Sequence, residues 1–284
     1  MKKSLGIDDR FFYRDDCLHL SARKEAGFDA IDSSVGWGVL LKDNCEDKIE
    51  RVRLKLEETG IECYQIHLPC YNIFLQPDAT DEATEKSIHR ALEVAAMLGT
   101  KWAVVHSMGT VDEEHSAEWV ISRNVENFRR YLETAERCGV GIALENIPRF
   151  GDCPQFDFIT ASVERHLEII ERIDSPSFQA CWDFGHQHLN IADGDRVATL
   201  RRIAKYVKAF HMASNYGNMD WHLAPCFGNV NWREILRPVM EAGYEGTFNL
   251  ELNLSTVPEE VMPYHYRLYS RMLDEIFTKI GDGE

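Results

Sequence analysis

Six short apolar runs in this chain end in a side chain that can bind a metal or move a proton: Tyr-Gln-Ile-His67, Ala-Val-Val-His106, Ile-Ala-Leu-Glu145, Ala-Cys-Trp-Asp183, Lys-Ala-Phe-His211 and Phe-Asn-Leu-Glu251. His186 follows Asp183 by three residues, and Asp220-Trp-His222 adds a carboxylate and an imidazole two apart. A buried strand that ends in a charged or imidazole group carries a desolvation cost, which pairing or a bound cation must offset. Imidazoles and carboxylates gathered in one place would hold a divalent ion. Mixed nitrogen and oxygen ligation suits manganese, cobalt, iron, zinc or magnesium, and no cysteine at these positions argues against a structural thiolate zinc. Two glutamates at such a site also supply the acid and base that proton transfer needs.

The histidines sharpen this pattern. Of 11, five (His67, His106, His186, His211, His222) fall at strand ends or in the loops after them, and five (His19, His89, His115, His166, His265) fall in helical stretches. A single strand-end histidine is more simply a hydrogen-bonded core residue. Polar residues at the same height on six consecutive strands need a common reason.

That reason lies in the elements that position them. The apolar runs predict strands at Ser4–Asp8, Phe28–Ser33, Cys63–Leu68, Trp102–Ser107, Gly141–Glu145, Gln179–Asp183, Val207–Met212 and Thr247–Glu251. Apolar spacing of three and four predicts helices between them at Lys48–Leu56, Glu82–Leu98, Glu118–Arg137, Val163–Ile173, Val197–Tyr206 and Trp232–Ala242, with a last helix at Pro258–Ile280. Gly27, Gly60, Gly99, Gly139 and Gly243 each stand between a helix and the next strand, where a left-handed cap is expected. Eight strand–helix repeats in 284 residues are the count of a single (β/α)8 TIM-barrel domain spanning 1–284. A doubly wound sheet would need a glycine-rich phosphate turn after its first strand, and the sequence there reads Asp8-Asp9-Arg10. Barrel closure brings all strand ends to one rim.

Composition narrows the function. With 44% hydrophobic and 27% charged residues the chain is globular, and 31 basic against 47 acidic residues give a net charge of −16. Such a surface repels phosphate backbones, so no nucleic-acid partner is expected. No apolar run approaches the length of about 18 residues that a membrane span needs, and the start carries charge where a signal peptide is apolar. A cytoplasmic protein without a membrane partner is expected. Eight cysteines without a CxxC pair read as reduced thiols, mostly in the core.

Together, Leu144-Glu145-Asn146-Ile-Pro148-Arg149, Trp182-Asp183-Phe-Gly185-His186, His211 and Asp220-Trp-His222-Leu-Ala-Pro225-Cys-Phe-Gly228 resemble the xylose-isomerase-like TIM barrels, especially the sugar phosphate isomerase/epimerase group. The resemblance runs through the whole chain in order. It implies one divalent ion held by Glu145, Asp183, His211 and Glu251, with manganese favoured among Mn, Co, Mg, Fe and Zn. From the related ketose 3-epimerases it also implies that Glu145 and Glu251 act as acid and base on opposite sides of the substrate carbon, and that His186 binds substrate. The usual P-G-x-G turn of the family reads Pro225-Cys226-Phe227-Gly228 here.

The same superfamily includes zinc AP endonucleases with three metal ions, and His67, His106, Glu145, Asp183, His186, His211, Asp220, His222 and Glu251 resemble that ligand set too. A DNA enzyme should carry a stripe of lysine and arginine at the metal mouth. The rim loops instead offer aromatic and small neutral residues, such as Ser33-Ser-Val-Gly-Trp37 and Ala213-Ser-Asn-Tyr216, with Arg149 the exception. A metal-dependent sugar or sugar-phosphate isomerase or epimerase, working through an enediolate, therefore stands ahead. His67, His106, Arg149, His186, Asp220, His222 and Trp37 are its candidate substrate contacts. The AP endonuclease is the alternative, and a keto-cyclitol dehydratase or keto-glycoside lyase would use the same residues. The expected partner is a small carbohydrate, and a homo-oligomer is left open.

Overall fold

The computed structural model describes residues 1–14, 17, 19–35, 45–70, 72–149, 156–190 and 195–281. Its strands are β1 (Lys2–Ile7), β2 (Ala30–Ser34), β3 (Glu62–His67), β4 (Trp102–Val105), β5 (Thr110–Val111), β6 (Gly141–Glu145), β7 (Asp157–Phe158), β8 (Phe178–Asp183), β9 (Val207–His211) and β10 (Thr247–Leu250). Eight of them form one parallel sheet in the order β10-β1-β2-β3-β4-β6-β8-β9. The sheet closes just past the ends of β9 and β10, where the Met212 N–H donates to the Asn249 carbonyl at 2.7 Å and the Glu251 N–H to the Met212 carbonyl at 3.3 Å. The result is a (β/α)8 barrel. Apart from it, β5 and β7 pair antiparallel, a small ribbon that the apolar pattern did not announce.

Nine α-helices appear among the described residues: α1 (Leu20–Glu25), α2 (Cys45–Thr59), α3 (Glu82–Met97), α4 (Ala117–Cys138), α5 (Val163–Ile173), α6 (Phe184–Leu189), α7 (Arg196–Ile203), α8 (Trp232–Glu241) and α9 (Met262–Gly281). Helix α4 shows how local sequence sets the boundaries. The Ser116 side chain accepts from the Trp119 N–H at its start, and Gly139 ends it at φ 71°. The helix expected at Val197–Tyr206 stops at Ile203 and tightens into a 3₁₀ turn at Ala204–Tyr206. No described helix is long and apolar enough to cross a membrane.

Side chains alternate along each strand, so every second residue faces the barrel axis. On β4, β6, β8 and β9 the inward layer is small and apolar, a buried cluster of Val104, Ala143, Cys181 and Ala209. Their i+2 neighbours are His106, Glu145, Asp183 and His211. Across the barrel the corresponding layer is polar. Ser4 Oγ donates to Asn249 Oδ1 at 2.9 Å, and Asn249 Nδ2 and Gln65 Nε2 donate to Asp32 Oδ2 at 3.0 and 2.8 Å. The outward residues, among them Ile142, Leu144, Trp182 and Phe210, pack into the main core beneath the helices.

Candidate metal centre

Strand register gathers the rim residues. Glu145 pairs with Cys181 and Asp183 with His211, so carboxylate and imidazole emerge from adjacent strands at neighbouring heights. Glu251 and His106 sit one residue past β10 and β4. Asp183 also caps α6, its Oδ1 accepting the His186 N–H at 2.6 Å.

Three groups of donor atoms result, each with all atoms within 4.8 Å of one another: Glu145, Asp183, His211 and Glu251; His186, Asp220 and His222; and His67, Cys70 and His106. Glu145 joins the first to the third. Its Oε1 lies 2.8 Å from His211 Nδ1 and its Oε2 3.0 Å from His106 Nε2 and 3.3 Å from His67 Nε2. Glu251 Oε2 lies 3.3 Å from His211 Nδ1 and 3.5 Å from His222 Nδ1. Asp220 Oδ2 bridges His186 Nε2 at 3.2 Å and His222 Nε2 at 3.0 Å. The His186 Nδ1–H donates to the Asn146 carbonyl at 2.7 Å, which fixes that ring.

The electrostatics set buried carboxylates against buried imidazoles. Burial pushes the Asp183 carboxyl up to about 6; His186 opposes the rise and the neighbouring Glu145, Glu251 and Asp220 add to it. Burial works against the Glu145 carboxylate as well, but His211, His106 and His67 outweigh it and hold that group well below its usual range. Burial likewise disfavours charge on His211 and His186, yet the surrounding anions raise both well above the ordinary imidazole value. His106 is lowered, burial being the larger influence. Asp183 Oδ2 and Asp220 Oδ1 are buried without a hydrogen-bond partner. Buried carboxylate oxygens of this kind need a partner, and a divalent ion would supply it. The donor set of the first group, three carboxylates and one imidazole, fits such an ion.

The structure thus brings together His67, His106, Glu145, Asp183, His186, His211, Asp220, His222 and Glu251, all singled out from the sequence. Arg149 is half-buried, and its backbone N–H donates to Asn190 Oδ1 at 2.6 Å. Trp37 lies outside the described residues. Two residues were missed. Cys70 is exposed and places its Sγ 3.7 Å from His67 Nδ1, a thiol that the strand-end pattern, which held no cysteine, did not single out. Asp32 is buried on the polar side of the barrel and accepts the His211 Nε2–H at 2.9 Å, leaving Nδ1 to face Glu145 and Glu251. An acid inside the apolar run Phe28-Asp-Ala-Ile-Asp32 was the signal available for it.

The family model for xylose isomerase-like TIM barrels matches residues 20–266, and the chain belongs to that family. An uncharacterized protein of Methanocaldococcus jannaschii is 30% identical over 192 residues, 66% of this chain. The chain matches 63% of that relative's length. Among solved structures, a D-tagatose 3-epimerase-like protein superimposes with a TM-score of 0.71 at 23% identity, covering 100% of this chain and 99% of the other. The 3-keto-D-glucoside 4-epimerase of E. coli gives 0.72 at 20% identity over 95% and 100%. An L-ribulose 3-epimerase gives 0.73 at 18% over 99% and 95%. At these identities the likeness speaks for the fold.

Proposed function

We propose that this member of the xylose isomerase-like TIM barrels is a divalent-metal-dependent isomerase or epimerase acting on a sugar or keto-sugar. One observation carries the reading: Glu145 and Glu251, from strands three places apart round the barrel, converge with Asp183 and His211 until their donor atoms lie within 4.8 Å of one another. Those four residues would hold the ion, manganese being favoured. A cation bound there supplies the Lewis acidity that makes a C–H beside a sugar carbonyl easier to ionise.

The glutamates then move the proton. The Glu251 side chain is 31% exposed and lines an open cavity, whereas that of Glu145 is 1% exposed and kept ionised by the imidazoles around it. Removal by one and return by the other inverts the carbon, which is epimerisation. Return on the same face at the adjacent carbon is isomerisation. His67, His106, His186, Asp220 and His222 surround this pair and orient the substrate hydroxyls, with Arg149 and Trp37 as further substrate contacts. The names of the structural neighbours, two ketose 3-epimerases or likenesses of one and a keto-glucoside epimerase, support the substrate class.

The test is exchange of substrate C–H with deuterated solvent. The manganese-loaded protein should exchange on a ketose or keto-sugar, and Glu145→Gln and Glu251→Gln should each abolish it, with metal content assayed in parallel. Turnover without any solvent exchange would refute proton transfer in favour of a hydride shift.

The division of the donors into three groups favours a second reading, a zinc-dependent AP endonuclease with three ions. Elemental analysis separates the two. One strongly held ion and no nicking of an abasic duplex are expected; three zinc ions with nicking would replace the sugar assignment.

A further inference from the structure

A cavity of about 570 Å³ opens beside the metal centre, between the ends of β1, β2 and β10 and the start of α9. It meets the centre at Glu251 and His222 and reaches down to Asp32. Asp32 is 4% exposed, and its Oδ1 has no hydrogen-bond partner although Oδ2 takes three donors. A buried acceptor left open at the edge of a cavity needs a donor from whatever fills it. The space lies mid-range for sites that enclose ligands, roughly 300–1,000 Å³. The carbons of a hexulose beyond its reacting pair would occupy a small part of it.

Charge decides the class of ligand. The described lining carries the carboxylates of Asp8, Asp32, Glu251 and Glu259 and, against them, the guanidiniums of Arg10 and Arg23 and the imidazoles of His19 and His222. Asp8 grips Arg10 at 2.6 Å and Glu259 grips Arg14 at 2.8 Å. With Asp8 and Glu259 so paired, Asp32 and Glu251 stand against Arg23, whose guanidinium donates to the Leu5 carbonyl at 3.1 Å and lies over the Tyr266 ring, so the described lining gathers no cluster of cations of the kind that holds a phosphate dianion. Ser34, Asn253 and Ser255 add hydroxyl and amide groups that both donate and accept. Uncharged hydroxyls are the groups that satisfy acceptors and donors alike without adding charge.

On the basis of the proposed sugar chemistry, we infer that this cavity is a subsite for a second, unphosphorylated sugar ring, and that the substrate is an extended keto-sugar such as a glycoside rather than a sugar phosphate. The reacting carbons lie at the ion between Glu145 and Glu251, and the second ring lies over Asp32 between the loops after β1 and β10.

Three probes test this on the manganese-loaded protein: D-fructose, D-fructose 6-phosphate, and isomaltulose, a fructose that carries a glucosyl group on the carbon farthest from its carbonyl. Solvent exchange should show kcat/KM for isomaltulose at least about tenfold above fructose, with the phosphate lowest, a gap of about 1.4 kcal/mol. Ser34→Phe, which narrows the cavity from an exposed strand end, should lower the isomaltulose-to-fructose ratio about tenfold. Asn253→Ala should lower it in the same direction and serves if the first variant misfolds. Calorimetric titration of the same sugars reads the subsite without turnover. Exchange on fructose equal to that on isomaltulose, or a preference for the phosphate, overturns the subsite and leaves the proposed function standing. Absence of exchange on every sugar, with isomaltulose still bound more tightly than fructose, overturns the proposed function and leaves the subsite. Equal binding of all three overturns the subsite.

Discussion

Asp32→Asn probes the contact that aims His211. The Asp32 Oδ2 atom accepts from His211 Nε2 at 2.9 Å, Gln65 Nε2 at 2.8 Å and Asn249 Nδ2 at 3.0 Å. In the asparagine variant the amide oxygen can occupy that position and accept the same donors, so the geometry is kept and the negative charge is removed. A hydrogen bond to a charged group contributes about 1.5–3 kcal/mol and a neutral one about 0.5–1.5, so the loss at His211 is about 1–1.5 kcal/mol. That corresponds to about tenfold weaker manganese binding, the low end of the range for residues that orient a metal-ligating histidine. Asp32→Ala is the poorer choice, because it leaves three buried donors without an acceptor at about 1–3 kcal/mol each. The assay is titration of manganese into the metal-free protein, with circular dichroism confirming an unchanged fold. A dissociation constant within about twofold of the parent would show that packing alone fixes the His211 ring, refuting the role given to Asp32.

Manganese at 100 times its dissociation constant should stabilise the protein by about 2.7 kcal/mol, raising Tm by roughly 4–5 °C, and a chelator should reverse this; an unchanged melt would contradict the ion site. Burial pushes the His166 imidazole down to about 3, with the Leu144 backbone and Glu145 offsetting only part of the effect, and its ring stacks on Trp182. Its unfolded value is about 6.5, so the unfolded chain binds the extra proton and stability falls as pH drops from 6.5 toward 3, by about 2 kcal/mol at pH 5. Denaturant melts at pH 7.5 and 5 should therefore show a smaller loss in His166→Phe than in the parent, and equal losses would rule the histidine out. A Cβ added at Gly228 would lie 2.5 Å from the Asn215 carbonyl oxygen and 2.8 Å from its nitrogen. Gly228→Ala should cost about 1–3 kcal/mol and lower activity by shifting the loop that carries Asp220 and His222; wild-type melting and turnover would show that the loop yields freely.

The barrel was legible because its determinants are local. Apolar runs of strand length, helical spacing between them and a glycine such as Gly139 at a helix end each act over a few residues, and their eight-fold recurrence admits one architecture. Polar residues at strand ends were legible for the same reason, since an exception to an apolar strand stands out in the run that contains it. What sequence alone left open depends on closure. Asp32 and His211 are 179 positions apart and meet across the barrel axis, where the polar half of the interior supplies Gln65 and Asn249 as well. Nothing in either run announces the other. The split of nine rim residues into three groups, the place of Cys70 beside His67, and the cavity over Asp32 likewise arise from how far each loop leans over the rim. Hydrophobic periodicity reports which face of an element is buried, and only the packed barrel decides which buried polar groups come within hydrogen-bonding reach of one another.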